Sequence, residues 1–228
     1  MDKISFVIPC FNNELNIDDL FNALLENEKQ FSNIEFEYIM IDDASKDKTV
    51  EVIIAWQKKF PERIKLIMNK QNIGSHKAVF KGLNSVSGNC VIVMAADLQD
   101  PPELSKQMFD YWKKGNKLVI AVKEDHNLSV FSKIFHFIMR SLFVRKAPKG
   151  AFDYALFDKS LLQDLLKTTV KNCNFFYRLV ELQSEFTTVN YQKRQRQKGK
   201  SGWTFSKKIY FFTENIISYS ISKLGIYK

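Results

Sequence analysis

An α/β fold, with a Rossmann-like, mostly parallel central sheet flanked by helices, is the class that this 228-residue sequence predicts. Three observations lead there. Short apolar runs without alternation read as strands covered on both faces, helical patterns separate one run from the next, and polar residues collect where the runs stop.

In chain order, Ile4 to Ile8, Phe36 to Ile41, Ile64 to Met68 and Cys90 to Ala95 read as buried strands. Leu15 to Gln30, Thr49 to Phe60 and Ser75 to Ser85 read as the helices between them. A helix beginning near Pro101 leads to a further strand, Leu118 to Val122, that extends the sheet. From Leu128 the pattern changes: Phe131, Ile134, Phe135, Ile138 and Leu142 recur at helical spacing beside Lys133, Arg140, Arg145 and Lys146. Ala151 to Phe157 reads as one more strand, and Ile209 to Leu224 as a second basic-flanked amphipathic helix. The expected organisation is one domain over residues 1–202, with halves 1–100 and 101–202, followed by an amphipathic helix over 203–228.

Composition limits the possibilities. A chain with 45% hydrophobic residues buries a full core without staples. Cys10, Cys90 and Cys173 lie far apart with no CxxC pair, which fits a reducing compartment. Met1 runs at once into a strand, with no leader pattern, and Glu214 and Asn215 interrupt the most apolar C-terminal run. The expectation is a cytoplasmic protein, peripheral at the inner face of the cell membrane. A net charge of +9 suits nucleic acid, anionic lipid or a phosphorylated ligand equally.

No GxG and no GxxxxGK[ST] occurs, which removes the two commonest nucleotide-binding loops. His76, His126 and His136 lack zinc-site spacing and read as surface or interface residues. In parallel sheets ligands sit beyond the carboxyl ends of strands. Asn12, Asn13, Glu14, Asp42, Asp43, Asn72 and Asp97 to Asp100 all fall there. Asp97 places a carboxylate where a hard divalent cation can bind, Gln99 offers a second oxygen, and magnesium or manganese tolerates so few protein ligands when substrate phosphates supply the rest. Asp100 reads instead as a helix N-cap, with Pro101 at the first helical position and Glu103 in the first turn. Of Asp42 and Asp43, one is expected to bind a uracil imide or ribose hydroxyls and the other to be solvated, while Asp47 caps the next helix. Asn72, Gly74 and Ser75 lead into a helix carrying Lys77, Ala78 and Gly82, which lets a ligand approach the backbone or simply makes a glycine turn. Phe186 to Thr213 holds no acid but carries Lys193, Arg194, Arg196, Lys198, Lys200, Lys207 and Lys208 around Gly199, Ser201, Gly202 and Trp203. Such a segment closes over a diphosphate, binds single strands of nucleic acid, or is a solvated face.

Taken together, these segments resemble glycosyltransferase family 2, and in particular its polyprenyl-phosphate and dolichyl-phosphate sugar transferases. Phe6 to Glu14 resembles the family's IPxYNE turn, Ile41 to Asp47 its VDDGSxD, Asn72 to Gly82 its NxGxxxAxxxG and Ala96 to Glu103 the branch's DLQDPPE. Arg196 to Trp203 is similar to its RxxGxSxY loop. The resemblance implies a GT-A fold and an inverting transfer from a nucleotide diphosphate, UDP in preference to GDP-mannose, to a lipid-linked acceptor in cell-surface glycoconjugate synthesis. It implies that Pro9, Phe11, Asn13, Glu14, Asp42, Asp43, Asn72, Gly74, Lys77, Ala96, Asp97 and Lys123 bind substrate. Asp97 and Gln99 would hold Mg2+ or Mn2+, and Arg196, Ser201 and Trp203 would close over the diphosphate. Ala95 stands where many members carry the first acid of a DxD, and Lys123 where the branch often has arginine. A polyprenyl phosphate acceptor needs positioning more than a base; for a sugar hydroxyl on a lipid-linked glycan, Asp153 is the candidate base. A non-catalytic nucleotide-sugar-binding subunit is the alternative. Partners outside the site are a membrane surface and either a second copy or a membrane protein. Nucleic acid is not expected, because it leaves the strand-end acids unexplained.

Overall fold

The computed structural model describes residues 1–124, 130–167, 173–196, 198–199 and 205–223. The strands are β1 (Asp2–Cys10), β2 (Ile34–Asp42), β3 (Ile64–Met68), β4 (Cys90–Val93), β5 (Leu118–Lys123), β6 (Tyr154–Asp158) and β7 (Thr187–Tyr191). The helices are α1 (Glu14–Glu28), α2 (Thr49–Lys59), α3 (Ser75–Gly82), α4 (Leu104–Lys113), α5 (Val130–Ile138), α6 (Leu162–Lys167), α7 (Phe175–Leu182) and α8 (Phe205–Lys223).

All seven strands join one sheet in the order β3-β2-β1-β4-β6-β5-β7. Only β6 runs against its neighbours; the other pairings, including β5 with β7, are parallel. The mostly parallel sheet expected from the apolar runs is therefore present. The strand predicted at Leu118 extends it only through β6, which separates β5 from β4.

Alternate residues of the same strand feed two cores, as the two-residue repeat of a strand requires. Ile4, Phe6, Ile8 and Cys10 of β1 pack with Ile17, Leu20 and Leu24 of α1 and with Ile53 and Trp56 of α2. Val7 faces the opposite side with Ile39, Ile41 and the helices α3 and α7. Gly82 lets α3 lie directly on the sheet: a Cβ there would come within 2.6 Å of the Ile41 side chain.

Two expectations about helix ends are corrected. α4 begins at Leu104, three residues after Pro101, because residues 101–104 first make a tight turn closed by the Leu104 N–H on the Pro101 carbonyl at 3.1 Å. The predicted apolar stripe after Leu128 is split. Phe135 is buried against Tyr177, Phe211 and Phe212, whereas Val130, Ile134, Phe137 and Leu142 are exposed. α8 is tied into the domain by Asn215, whose Oδ1 accepts the N–H of Asn174 at 2.6 Å, and by the buried Tyr219. No described helix is long and apolar enough to cross a membrane.

At the opposite end of the sheet from the polar strand ends, Glu37 is fully buried in β2. Its carboxylate accepts from the hydroxyl of Ser5, from the N–H and hydroxyl of Ser87 and from Lys65 at 3.0 Å. One side chain thereby pins β1, β2, β3 and the turn before β4. Burial pulls this carboxyl upward, but the donors from Ser5, Ser87 and Lys65 outweigh it and hold it at about 2, below its usual 4.5. A depressed folded pKa contributes stability that is complete above the unfolded value and drains as pH falls towards 2, on the order of 3 kcal/mol in total. Glu37→Gln is expected to lower stability by roughly 2 kcal/mol at pH 7 and to flatten the acid limb below pH 4.5, read by urea denaturation across pH.

Candidate functional site

A cleft of about 660 Å³ opens at the carboxyl ends of β1, β2 and β4. Pro9, Phe11 and Asn13 line it from the first strand's end, Asp43 from the second, Asn72, Gly74 and Lys77 from the entry to α3, and Ala96 and Asp97 from the fourth. Asp153 and Arg196 complete it from the second half of the chain. Eleven predicted site residues thus meet in one place, although their positions span most of the sequence.

Three residues next in sequence to cleft-lining ones have left-handed backbone. Asn12, Ala44 and Leu98 have positive φ, at 53°, 60° and 57°, beside Phe11 and Asn13, Asp43 and Asp97 respectively. Asn12 is held by its N–H to the Ser45 hydroxyl and by the Lys46 N–H to its Oδ1. Asp43 accepts from the N–H groups of Ile73 and Gly74 and from Asn69, and so fixes the turn into α3. Gly74 has φ 89°, a conformation that favours glycine.

Neither acid of the adjacent pair is solvated, contrary to expectation. Asp42 and Asp43 are both buried; Asp42 Oδ2 accepts the Ser45 N–H, and its Oδ1 has no hydrogen-bond partner. Asp47 does bond the first N–H of α2, at Thr49, and also accepts from the N–H of Glu14. Glu14 lies outside the cleft lining, because its carboxylate accepts the Lys48 N–H at 2.8 Å.

Asp97 follows β4 and is largely covered, with its side chain 12% exposed. Its Oδ1 accepts the N–H of Gln99 and its Oδ2 pairs with the Arg196 guanidinium at 2.5 Å. The Gln99 side chain turns away and donates to the Arg194 carbonyl at 3.4 Å, so the predicted second metal oxygen does not face the cleft. No group of three His, Cys, Asp or Glu able to hold a metal occurs among the described residues. The residues present still fit a divalent cation carried by a phosphorylated ligand. Asp97 already receives a positive group from the cleft side, and magnesium or manganese completes its shell from phosphates and water.

Asp100 is not a helix cap. It is 1% exposed, accepts the Tyr191 hydroxyl at 2.5 Å and lies 3.6 Å from Lys123 Nζ. Burial and the charge of Asp153 push its carboxyl up to about 6. Lys123 is equally buried and pairs with Asp153 at 2.5 Å, so it braces two acids and does not line the cleft. Burial raises the Asp153 carboxyl, yet the Lys123 charge and hydrogen bond win and hold it below the usual carboxylate range. That environment suits a fixed binding group better than a proton acceptor.

Ser201 and Trp203 lie outside the described residues, as does His126. Sequence reading missed the contribution of α8: Lys207, Tyr210, Phe211 and Glu214 line the cleft, and Glu214 pairs with Lys77 at 2.9 Å. Lys207 lies over the Phe11 ring at 5.2 Å. His76, read as a surface or interface residue, is half-buried and lines the cleft. His136 is inside as well, with Nδ1 2.8 Å from the Tyr177 hydroxyl. A wider groove beside Gly115, Lys117, Lys146 and Glu185 lies at the other end of β5 and β7 and holds none of these groups.

The sequence model of glycosyl transferase family 2 matches residues 5–184. An uncharacterized glycosyltransferase of Synechocystis is 29% identical over 232 residues, covering 99% of this chain and 72% of that protein. Undecaprenyl-phosphate 4-deoxy-4-formamido-L-arabinose transferase of Photorhabdus laumondii is 31% identical over 152 residues, covering 67% of this chain and 46% of the relative. Among solved structures, glucosyl-3-phosphoglycerate synthase of Mycobacterium tuberculosis, bound to Mn2+, UDP and glucosyl-3-phosphoglycerate, superposes with a TM-score of 0.64 at 16% identity. That match covers 100% of this chain and 81% of the other.

Removing the cation that braces buried Asp100 and half-exposed Asp153 tests the second half of the site. Lys123→Met is expected to cost about 3 kcal/mol in urea denaturation, because Asp100 is left buried without its counter-charge. Asp100→Asn, which keeps an acceptor for Tyr191, is expected to cost roughly 1 kcal/mol.

Proposed function

The chain belongs to glycosyl transferase family 2, and on that premise we propose that it inverts the anomeric carbon while moving a sugar from UDP to polyprenyl phosphate. The protein is a glycosyltransferase with the GT-A fold. The proposal concerns its donor, acceptor and place of work in the synthesis of cell-surface glycoconjugates.

The observation that carries it is the pairing inside the cleft. Each acid that lines it is engaged: Asp43 with the α3 turn, Asp97 with Arg196, Asp153 with Lys123 and Glu214 with Lys77. An acceptor hydroxyl needs a base to take its proton, whereas a phosphate monoester arrives as an anion and needs alignment. The cleft supplies alignment. Pro9, Phe11, Asn13 and Asp43 form the end where the nucleoside sits, with Phe11 against the base and Asp43 towards polar hydrogens. A divalent ion, when bound with the donor, would rest on Asp97 and neutralise diphosphate charge. Arg196 leaves Asp97 for the diphosphate as the donor enters, because a doubly charged phosphate group is the stronger partner for a guanidinium. The naming of an undecaprenyl-phosphate sugar transferase among the relatives supports the acceptor class, and UDP in a structural neighbour supports the nucleotide.

The exposed apolar residues Val130, Ile134, Phe137 and Leu142, beside Lys133, Arg140, Arg145 and Lys146, support a peripheral site on anionic lipid. Such a surface brings the cleft to an acceptor that cannot leave the membrane.

Release of UDP from a UDP-sugar panel with Mn2+ should require undecaprenyl phosphate, and Asp97→Ala should reduce it at least 100-fold. Turnover that ignores the lipid phosphate but responds to a glycan hydroxyl sinks the acceptor assignment, and release only from GDP-mannose sinks the nucleotide. Vesicles containing anionic lipid should sediment the wild type at low salt. Phe137→Asp with Ile134→Asp should leave most protein in the supernatant; equal sedimentation would remove this face from membrane binding.

A further inference from the structure

Arg196 reaches the cleft at the end of an exposed, irregular stretch of chain. Gln192, Lys193, Arg194 and Gln195 follow β7 and are all exposed, and Arg196 turns inward to line the cleft. A side chain carried on such a stretch is spread over many positions unless its backbone is tied down, and ordering it as a ligand arrives would cost conformational entropy.

The turn between β4 and α4 ties it down. The Arg194 N–H donates to the Gln99 carbonyl at 2.9 Å, and the Arg194 carbonyl accepts the Gln99 side-chain amide at 3.4 Å, so a single residue of the turn holds both backbone groups of Arg194. The Arg194 guanidinium pairs with the Glu103 carboxylate. Behind them Tyr191, at the end of β7, donates its hydroxyl to the buried Asp100 at 2.5 Å and fixes the turn to the sheet. Tyr191 meets Asp100, Arg194 meets Gln99 and Arg196 meets Asp97, so the two segments run side by side in opposite directions. Gln99, Asp100, Glu103, Tyr191 and Arg194 all lie outside the cleft lining.

The Arg194–Glu103 pair stands in water, with each side chain 47% exposed. An ion pair so exposed adds little to folding. What it does restrain is the residue two places before Arg196.

We propose that Glu103, through Arg194, is a positioning residue: it holds the stretch after β7 against the turn and so keeps the Arg196 guanidinium over Asp97, where a diphosphate would arrive. This rests on the nucleotide diphosphate reading above. A purely electrostatic role for Glu103 has the opposite sign. If Glu103 were only a negative charge near an anion site, its removal would leave Arg194 unpaired and strengthen anion binding. Removing a positioning residue weakens it.

Calorimetric titration of the full chain with UDP and with uridine, Mn2+ present, separates the diphosphate from the nucleoside, and GDP with guanosine is run beside them. The wild type should bind UDP roughly tenfold tighter than uridine, or more. Glu103→Gln should weaken UDP binding about fivefold, the upper range for an exposed pair, and leave uridine affinity and melting temperature unchanged. Glu103→Arg combined with Arg194→Glu rebuilds the pair in reverse at the same net charge and should recover most of the loss. In an Arg196→Met background, Glu103→Gln should have no further effect on UDP, because it acts through Arg196. UDP affinity that is unchanged or tighter in Glu103→Gln overturns the proposal, as does a loss that persists in the Arg196→Met background or is shared by uridine. If GDP and not UDP binds tighter than its nucleoside, the choice of donor base falls, and the same variants test the proposal with GDP. If neither diphosphate does, the diphosphate reading falls and this proposal with it.

Discussion

A strand that runs against its neighbours begins where they end. β6 lies between β4 and β5, with Ala155 opposite Val93 and Tyr154 opposite Ala121. The residue just before it, Asp153, is therefore delivered to the same edge as Asp97 and Lys123. A fully parallel sheet would have placed that acid at the far edge. The reversal also creates an electrostatic problem, since Asp97, Asp100 and Asp153 crowd one end of the sheet. Lys123 answers it for Asp100 and Asp153, and Arg196 for Asp97. Each of these acids is thereby held by a cation from a distant part of the chain.

The turns that carry Phe11, Asp43 and Asp97 depend on backbone geometry. Left-handed residues at three strand ends cost on the order of 1 kcal/mol each, and the local hydrogen bonds of Asn12, Asp43 and Asp97 offset that cost. Rigid turns of this kind keep polar groups aimed at a ligand before it arrives. Glu37, at the opposite end of the sheet, does related work by pinning the strands whose other ends form the cleft.

The basic C-terminal segment is matched to acids of the first half. Arg196 meets Asp97, Lys198 meets Asp19, and Lys207 lies over Phe11, while Lys77 reaches the other way to Glu214. These contacts draw α8 across the cleft mouth. The stack of Phe211 on His76 ties α8 to α3 beside the cleft.

The buried strands, the helices between them and the strand-end cluster were legible in the sequence because each depends on local order. Apolar runs, turn residues and neighbouring acids are all read within about ten residues. The same is true of Gly74 as a turn, and nearly so of Asp47, which bonds the first N–H of α2 from one residue before its N-cap, Lys48. What escaped was decided by partners distant in the chain. Asp100 looked like a cap because Pro101 follows it, and it is a buried acid because Lys123 and Tyr191 fold beside it. Gln99 looked like a ligand by spacing, and the backbone of Arg194 takes its amide instead. His76 read as a surface or interface residue, and contacts from α7 and α8 decide that it faces the cleft. By itself the sequence determined which residues stand at the strand ends. Only the tertiary structure decided which of their charges were already spoken for, because a salt bridge depends on distance in space and leaves no period in the chain.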